Sequence, residues 1–296
     1  MVLVTFLGTS GSTPTKTRAL PALALEYNGT SLLFDCGEGT QRQMMRYGLN
    51  ISKVDAIFLS HIHGDHTIGV AGLVRTLALN KRQSPLDIYV PEGGEKAIAA
   101  LISFDGAQLG YTVNVKPIRG GVIHEGEGFE VSAFRLEHSV RTYGFVFNEH
   151  DRQHFIKEKL AGTGLKGAMF SELSKKGKLK VGGRVIRLKD VTELHRGLKI
   201  VYATDTRPSA ATVKAADNAD LLVHEATYTN AQHRLAVERQ HSTAQESAKL
   251  AKSAKAKRLV LTHMSARYKN LKTLLGEAKA VFPSTEIAKD GMSIEL

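Results

Sequence analysis

Seven consecutive residues, Ser60-His61-Ile62-His63-Gly64-Asp65-His66, hold three imidazoles and a carboxylate. These ligand types suit zinc, with manganese and iron as competitors. The spacing lets His61 and His63 face one locus while Asp65 and His66 face another, a pattern for two metal ions. A lone histidine is more often a hydrogen-bonded structural residue than a ligand, but that reading does not account for four donors packed this closely. The apolar run Ala56-Ile57-Phe58-Leu59 immediately before them reads as a buried strand. The donors therefore stand at a strand's carboxyl end, where Gly64 is expected to permit a tight loop that a β-carbon would resist.

The same placement recurs along the chain. Strands are expected at 129–136, 199–203, 220–223 and 258–261, and just past their carboxyl ends stand His138, Asp205, Glu225 and His263. Loops from one edge of a sheet can converge, so these residues point to one composite site with His61. Asp35 also ends a predicted strand and is expected to orient a metal-bound histidine rather than to bind metal itself. Other strands are read at 2–7, 22–27, 31–34, 86–90, 112–115, 143–147 and 292–296, with Asn28-Gly29 as a hairpin turn. Helices are read at 39–47, 68–79, 95–103, 209–216, 231–240 and 271–282, and Thr243 with Glu246 has capping-box spacing. Strands alternating with helices indicate an α/β fold with both sheet faces covered.

Composition narrows the setting. The 296 residues include one cysteine, Cys36, which excludes an intramolecular disulfide and a thiolate zinc cage and suits a reducing, cytoplasmic compartment. Residues 1–7 lack the basic and apolar regions of an export signal, and no run approaches the ~20 apolar residues of a membrane span. Forty Lys and Arg against 29 Asp and Glu give a net charge of +11, which favours polyanionic partners, nucleic acid first. The absence of tryptophan argues against a base-stacking single-strand platform. From 149 to 195 the chain carries 11 Lys and Arg against 6 Asp and Glu, a net +5, broken by repeated glycines. Its apolar residues look too sparse for a core of its own, so it reads as a projecting basic arm; a solvated insertion without a ligand is the plain alternative.

The pattern His-x-His-x-Asp-His, followed by a late His, Asp and His at strand ends, resembles the metallo-β-lactamase superfamily, whose fold is an αββα sandwich of two mixed sheets. Within it, the chain resembles ribonuclease Z, the tRNA 3′-processing endonucleases, in their short form. The motifs that carry this resemblance are Phe6-Leu7-Gly8-Thr9, Pro14-x-Lys16-x-Arg18, Phe34-Asp35-Cys36-Gly37-Glu38, His224-Glu225-Ala226-Thr227, His241-Ser242-Thr243 and Leu261-Thr262-His263-x-Ser265-x-Arg267-Tyr268. They run through nearly the whole chain, and other hydrolases of the superfamily share only the metal ligands. Two departures stand out: Ala19 occupies a position where asparagine is usual, and no proline lies between Pro117 and Pro208, although the family's arm tip is rich in Gly and Pro.

The resemblance implies two Zn2+ per chain, with Mn2+ or another divalent metal as a substitute. It places His61, His63 and His138 on one metal, Asp65, His66 and His263 on the other, and Asp205 as a bridge. It implies two-metal activation of water that removes the 3′ trailer of precursor tRNA, leaving a 3′-hydroxyl on the tRNA and a 5′-phosphate on the trailer. Asp65 would accept the nucleophile's proton, and His241, oriented by Glu225, would protonate the departing 3′ oxygen. Lys16 and Arg18 would read the RNA 3′ end, Arg267 would contact substrate, and Lys166, Lys175, Lys176 and Lys178 would grip tRNA from the arm. One domain over 1–296 with a flexible arm at 149–195 is expected, in a homodimer whose arms serve each other's sites. The rivals are a small-molecule phosphodiesterase and an inactive, metal-stabilised RNA-binding protein; the latter is disfavoured because structural zinc sites are usually closed by four protein ligands.

Overall fold

The computed structural model describes residues 1–106 and 108–296. Two seven-stranded sheets face each other. The first runs Ser293–Glu295, Val2–Gly8, Ala22–Tyr27, Thr30–Phe34, Val54–Phe58, Leu86–Pro91, Val113–Ile118. The second runs Thr285–Ile287, Leu259–Thr262, Leu221–Glu225, Lys199–Ala203, Thr142–Glu149, Phe129–Leu136, Gly121–Gly126. Both sheets are mixed. In the first, pairing is antiparallel up to Thr30–Phe34 and parallel beyond it. In the second, the strands from Thr285–Ile287 to Lys199–Ala203 are parallel and the rest antiparallel.

The period of two along the strands sends alternate side chains to two different cores. In Val54–Phe58, Ala56 and Phe58 enter the core between the sheets and Ile57 packs against the helices outside; a register shift opposite Ser31 and Leu32 breaks the alternation at the strand's start and puts Val54 on the outer side too. The inter-sheet core is aromatic: Phe34 stacks on Phe58 at 5.1 Å between ring centroids, and Phe58 on Tyr89 at 4.9 Å. Helices Thr40–Arg46, Gly69–Leu79 and Glu95–Ser103 cover the first sheet; Ala210–Ala215, Ala244–Ser253 and Lys272–Lys279 cover the second. This is the αββα sandwich expected from the sequence.

Several details differ from the sequence reading. Strands Gly121–Gly126 and Thr285–Ile287 lie at sheet edges; the first is largely exposed and the second has only three residues, so neither shows a strong apolar pattern. The helix expected over 231–240 is a 3₁₀ turn, Asn230–Gln232, followed by His233–Glu238. Gly64 does not adopt a left-handed conformation but opens the helical turn Gly64–Thr67, and a β-carbon there would meet only the Ile68 side chain, at 2.9 Å. The capping box at Thr243 and Glu246 is present in full.

The basic segment has a core of its own, contrary to the expectation of too few apolar residues. Leu173, Ile186 and Val191 are buried together, with Phe155, Leu160, Leu165 and Leu188 packed against them. These residues are far apart in sequence, so no local periodicity marks them. Strands Arg152–Phe155 and Thr192–His195 pair at the root, Lys178–Val181 and Arg184–Arg187 form a hairpin, and Ala168–Lys176 is a helix. The segment leaves the second sheet after Glu149 and returns at Lys199, the ends of those two strands remote from His138 and Asp205. At about 3.3 Å per residue, the strand Thr142–Glu149 sets its root roughly 25 Å from the histidines.

Candidate metal centre

The cluster forms where strand ends meet. The segment after Val54–Phe58 brings His61, His63, Asp65 and His66; Phe129–Leu136 leads to His138, Lys199–Ala203 to Asp205, and Leu259–Thr262 to His263. Asp35, Asp205 and His263 all take left-handed backbone conformations, with φ of 57°, 43° and 57°. Such strain in non-glycine residues persists where surrounding contacts hold it, as at functional sites. Gly11 makes room for this arrangement, since a β-carbon would lie 2.6 Å from His263 Cε1 and 2.7 Å from its Nδ1.

The imidazoles of His61, His66, His138 and His263 are each held by one nitrogen and offer the other. Asp35 Oδ2 accepts from His66 Nδ1 at 2.8 Å and from the Tyr202 hydroxyl at 2.9 Å, while its Oδ1 accepts the Ser60 N–H at 2.8 Å. His61 Nδ1 lies 2.9 Å from Ser60 Oγ, His138 Nδ1 donates to the Gln240 carbonyl at 3.1 Å, and His263 Nδ1 lies 3.0 Å from Thr227 Oγ1. The freed nitrogens converge on Asp205. Its Oδ2 faces His61 Nε2 at 3.7 Å and His138 Nε2 at 3.8 Å; its Oδ1 faces His66 Nε2 at 3.3 Å and His263 Nε2 at 3.0 Å. Asp65 Oδ2 lies 3.5 Å from His66 Nε2 and 3.7 Å from His263 Nε2, and accepts the Ser12 N–H at 2.9 Å.

These donors fit divalent metal. Among the described residues His138 Nε2 is buried without a hydrogen-bond partner, and a buried polar atom is costly unless something satisfies it. His61 Nε2 and His63 Nδ1 approach to 2.9 Å, two ring nitrogens that repel unless a proton or cation lies against them. His61, His63, His138 and Asp205 can converge on one ion, and Asp65, His66 and His263 on another. The electrostatics agree with a site made for cations. Burial and the neighbouring His66 push His61 well below the usual imidazole range. Burial opposes charge on His66 too, but Asp205 and Asp35 outweigh it and hold its pKa well above the ordinary value. Against its own burial, Asp205 is held well below the carboxylate range by His263 and His66.

Glu225 and His241 stand at the rim. His241 Nδ1 lies 2.8 Å from Glu225 Oε1, and despite burial the Glu225 charge raises the His241 pKa to about 9. Glu225 is fully buried and held in place by the N–H groups of Thr206 at 2.6 Å and Ser242 at 3.0 Å and by the Thr227 hydroxyl at 2.7 Å. Thr227 thus joins this pair to His263; the sequence reading gave it no role, although it ends the His224-Glu225-Ala226-Thr227 box. Ser139, Tyr228, Leu235, Arg239 and Arg267 frame a recess of about 360 Å³ over the cluster, with the Arg267 guanidinium 5.0 Å from the Tyr228 ring centroid.

The remaining candidates are not gathered there. Lys16 and Arg18 line a separate recess with Arg42 and Arg46. Lys16 is exposed, but Arg18 is only 9% exposed and donates to the carbonyls of Tyr268 and Ser265, both at 3.0 Å. Its guanidinium therefore ties its loop to the loop after His263. Lys166, Lys175, Lys176 and Lys178 are exposed on the basic segment. Arg18→Ala should lower unfolding free energy by about 1–3 kcal/mol, because two carbonyls lose a charged donor, whereas Lys16→Ala should change it by less than about 0.5 kcal/mol. Denaturant titration of both variants checks this; equal, small effects would contradict the tie.

Compared with known proteins, the chain matches a family model described as "Anti-Pycsar protein Apyc1" over residues 2–158 and one described as "Beta-lactamase superfamily domain" over residues 180–264. It is 41% identical over 298 residues to the ribonuclease Z of Methanothermobacter thermautotrophicus, a match covering 100% of this chain and 97% of that protein. The crystal structure of human tRNase Z, short form, superposes with a TM-score of 0.72 at 29% identity, covering 99% of this chain and 98% of that one. The metallo-β-lactamase fold protein YhfI from Bacillus subtilis has the same TM-score, 0.72, at 21% identity, and shares the fold.

Proposed function

Because this chain belongs to the ribonuclease Z family, we propose that it is an endonuclease that removes the 3′ trailer of precursor tRNA, leaving a 3′-hydroxyl on the tRNA and a 5′-phosphate on the trailer. The observation that carries the reading is the Asp205 carboxylate, which turns one oxygen to His61 and His138 and the other to His66 and His263, with His241 held on Glu225 beside it. His61, His63 and His138 would hold one divalent ion, Asp65, His66 and His263 a second, and Asp205 both; zinc suits this all-nitrogen-and-oxygen set. When bound, such ions supply positive charge against the phosphate and lower the pKa of the attacking water.

The chain's own residues do the rest. Asp65 stands beside His66 and His263 as the acceptor for the nucleophile's proton. His241 keeps Nδ1 on Glu225, so a proton at Nε2 is available for the departing 3′ oxygen, and the raised pKa keeps the ring protonated at neutral pH. Arg267 and Tyr228 at the recess are placed to receive the nucleotides flanking the cut. A small-molecule phosphodiesterase would share the cluster but has no use for the basic segment.

That segment would grip tRNA from a distance. Its root lies at the sheet end remote from the cluster, which favours a homodimer in which one chain's arm serves the partner's site. Replacing residues 152–195 by a short Gly-Ser linker should raise the precursor concentration needed for half-maximal cleavage by about tenfold or more and flatten its salt dependence, since neutralised phosphates release counterions. Hydrolysis of a small phosphodiester should survive. Joint loss of both activities and of metal would make the segment part of the folded core; loss of neither would make it a solvated insertion.

The reaction is tested by incubating the purified protein with a trailer-bearing precursor tRNA, with and without a chelator. Chelator-sensitive cutting is expected, and RNA bound but left whole in the presence of Zn2+ or Mn2+ would sink the proposal.

A further inference from the structure

Arg207, two residues past Asp205, is not among the residues that line the recess over the cluster. Its Nη1 donates to Glu246 Oε2 at 2.9 Å and its Nη2 to Oε1 of the same carboxylate. Nη1 also donates to the main-chain carbonyl of His241 at 2.5 Å. Glu246 in turn accepts the Thr243 N–H at 2.9 Å and lies 3.1 Å from His233 Nε2. The Arg207 N–H donates to the carbonyl of Glu137 at 2.8 Å, one residue before His138. The ion pair therefore fastens the loop of Asp205 to that of His241, while the Arg207 main chain joins both to the loop of His138.

Holding loops together does not by itself call for charge. A shielded ion pair gains little over well-packed apolar side chains, because both groups give up hydration. What an apolar pair lacks is direction. The planar guanidinium places one donor on the His241 carbonyl while both its arms are fixed by Glu246, so the backbone carrying the imidazole is set relative to Asp205. His241 needs such a fixture. It follows Gln240, a non-glycine residue with φ of 56°, and lies between the helices His233–Glu238 and Ala244–Ser253 rather than on either.

We infer that Arg207 and Glu246 are a positioning pair for His241, governing proton delivery to the leaving oxygen without touching substrate or metal. The inference rests on the proposed cleavage reaction and adds to it the residues that decide where its acid stands.

The test uses Arg207→Gln and Glu246→Gln in the full chain, assayed on precursor tRNA and on bis(p-nitrophenyl) phosphate, whose leaving group needs no proton. Arg207→Gln should lower kcat on precursor tRNA by about tenfold to a hundredfold, the effect of a misplaced catalytic group, with KM within about twofold. Hydrolysis of the nitrophenyl diester should stay within about threefold and bound metal should be unchanged. Glu246→Gln keeps an acceptor for Thr243 and should show the same ordering with a smaller loss, which preserves the test if Arg207→Gln folds poorly. Equal losses on both substrates, or no loss on either, would overturn the positioning role. A parent protein that hydrolyses the diester but never cuts the precursor would remove the proposed reaction instead, so the two failures are separable.

Discussion

Asp205→Ala should lower precursor-tRNA turnover about a thousandfold or more, with a clear fall in bound metal. The carboxylate is nearly fully buried, and its two oxygens serve two different pairs of histidines. In the proposed assignment, removing it takes a donor from both ion positions at once and removes the carboxylate that faces four of the cluster's histidines. Several kcal/mol of transition-state stabilisation should go with it, and each 1.4 kcal/mol is a factor of about ten in rate. Asp65→Ala should be as severe for cleavage but gentler on metal, because Asp65 faces only His66 and His263. Metal analysis by mass spectrometry, read beside single-turnover cleavage, distinguishes the two variants. Near-parental turnover in Asp205→Ala would end the two-ion assignment.

The second large effect is expected at His241. His241→Ala should slow cleavage of precursor tRNA by about a hundredfold or more while metal content stays at the parental level, the usual size of a general-acid contribution. A nitrophenyl diester should lose far less, since nitrophenolate departs without a proton. Glu225→Gln should follow the same pattern more weakly for want of the charge that raises the His241 pKa, and its loss of activity with rising pH should set in at a lower pH than in the parent. The sign follows from the shift: His241 sits at about 9 because Glu225 stabilises its charged form, so with Glu225 neutralised the proton is lost at lower pH. If both substrates suffer equally in His241→Ala, the pair is a structural link between loops and not an acid.

The features legible in the sequence are those with a local signature. The cluster at 61–66 shows itself by density, and the carboxyl-end placement of His138, Asp205, Glu225 and His263 follows from strand periodicity that the two sheets reproduce. What was not legible depends on contacts between distant positions. Gly11 looks like one more turn former until His263 is seen where its β-carbon would be. Arg18 is expected from the resemblance to read the RNA 3′ end, yet its charge is turned inward on the carbonyls of Ser265 and Tyr268. The core of the basic segment draws Leu173, Ile186 and Val191 from three separate elements, and no window of sequence contains its pattern. Arg207 has no motif, and Glu246 is marked in the sequence only as a helix cap; only the folded loops show what the two join.

End mapping of the cleavage products shows where the chain cuts. A precursor tRNA with a 3′ trailer, labelled separately at each end, is incubated with the metal-loaded protein and the products are sequenced and probed for terminal phosphate. A single cut just after the discriminator base is expected, giving a tRNA with a 3′-hydroxyl and a trailer with a 5′-phosphate. Trimming from the trailer's end one nucleotide at a time, or a 3′-phosphate left on the tRNA, would contradict it.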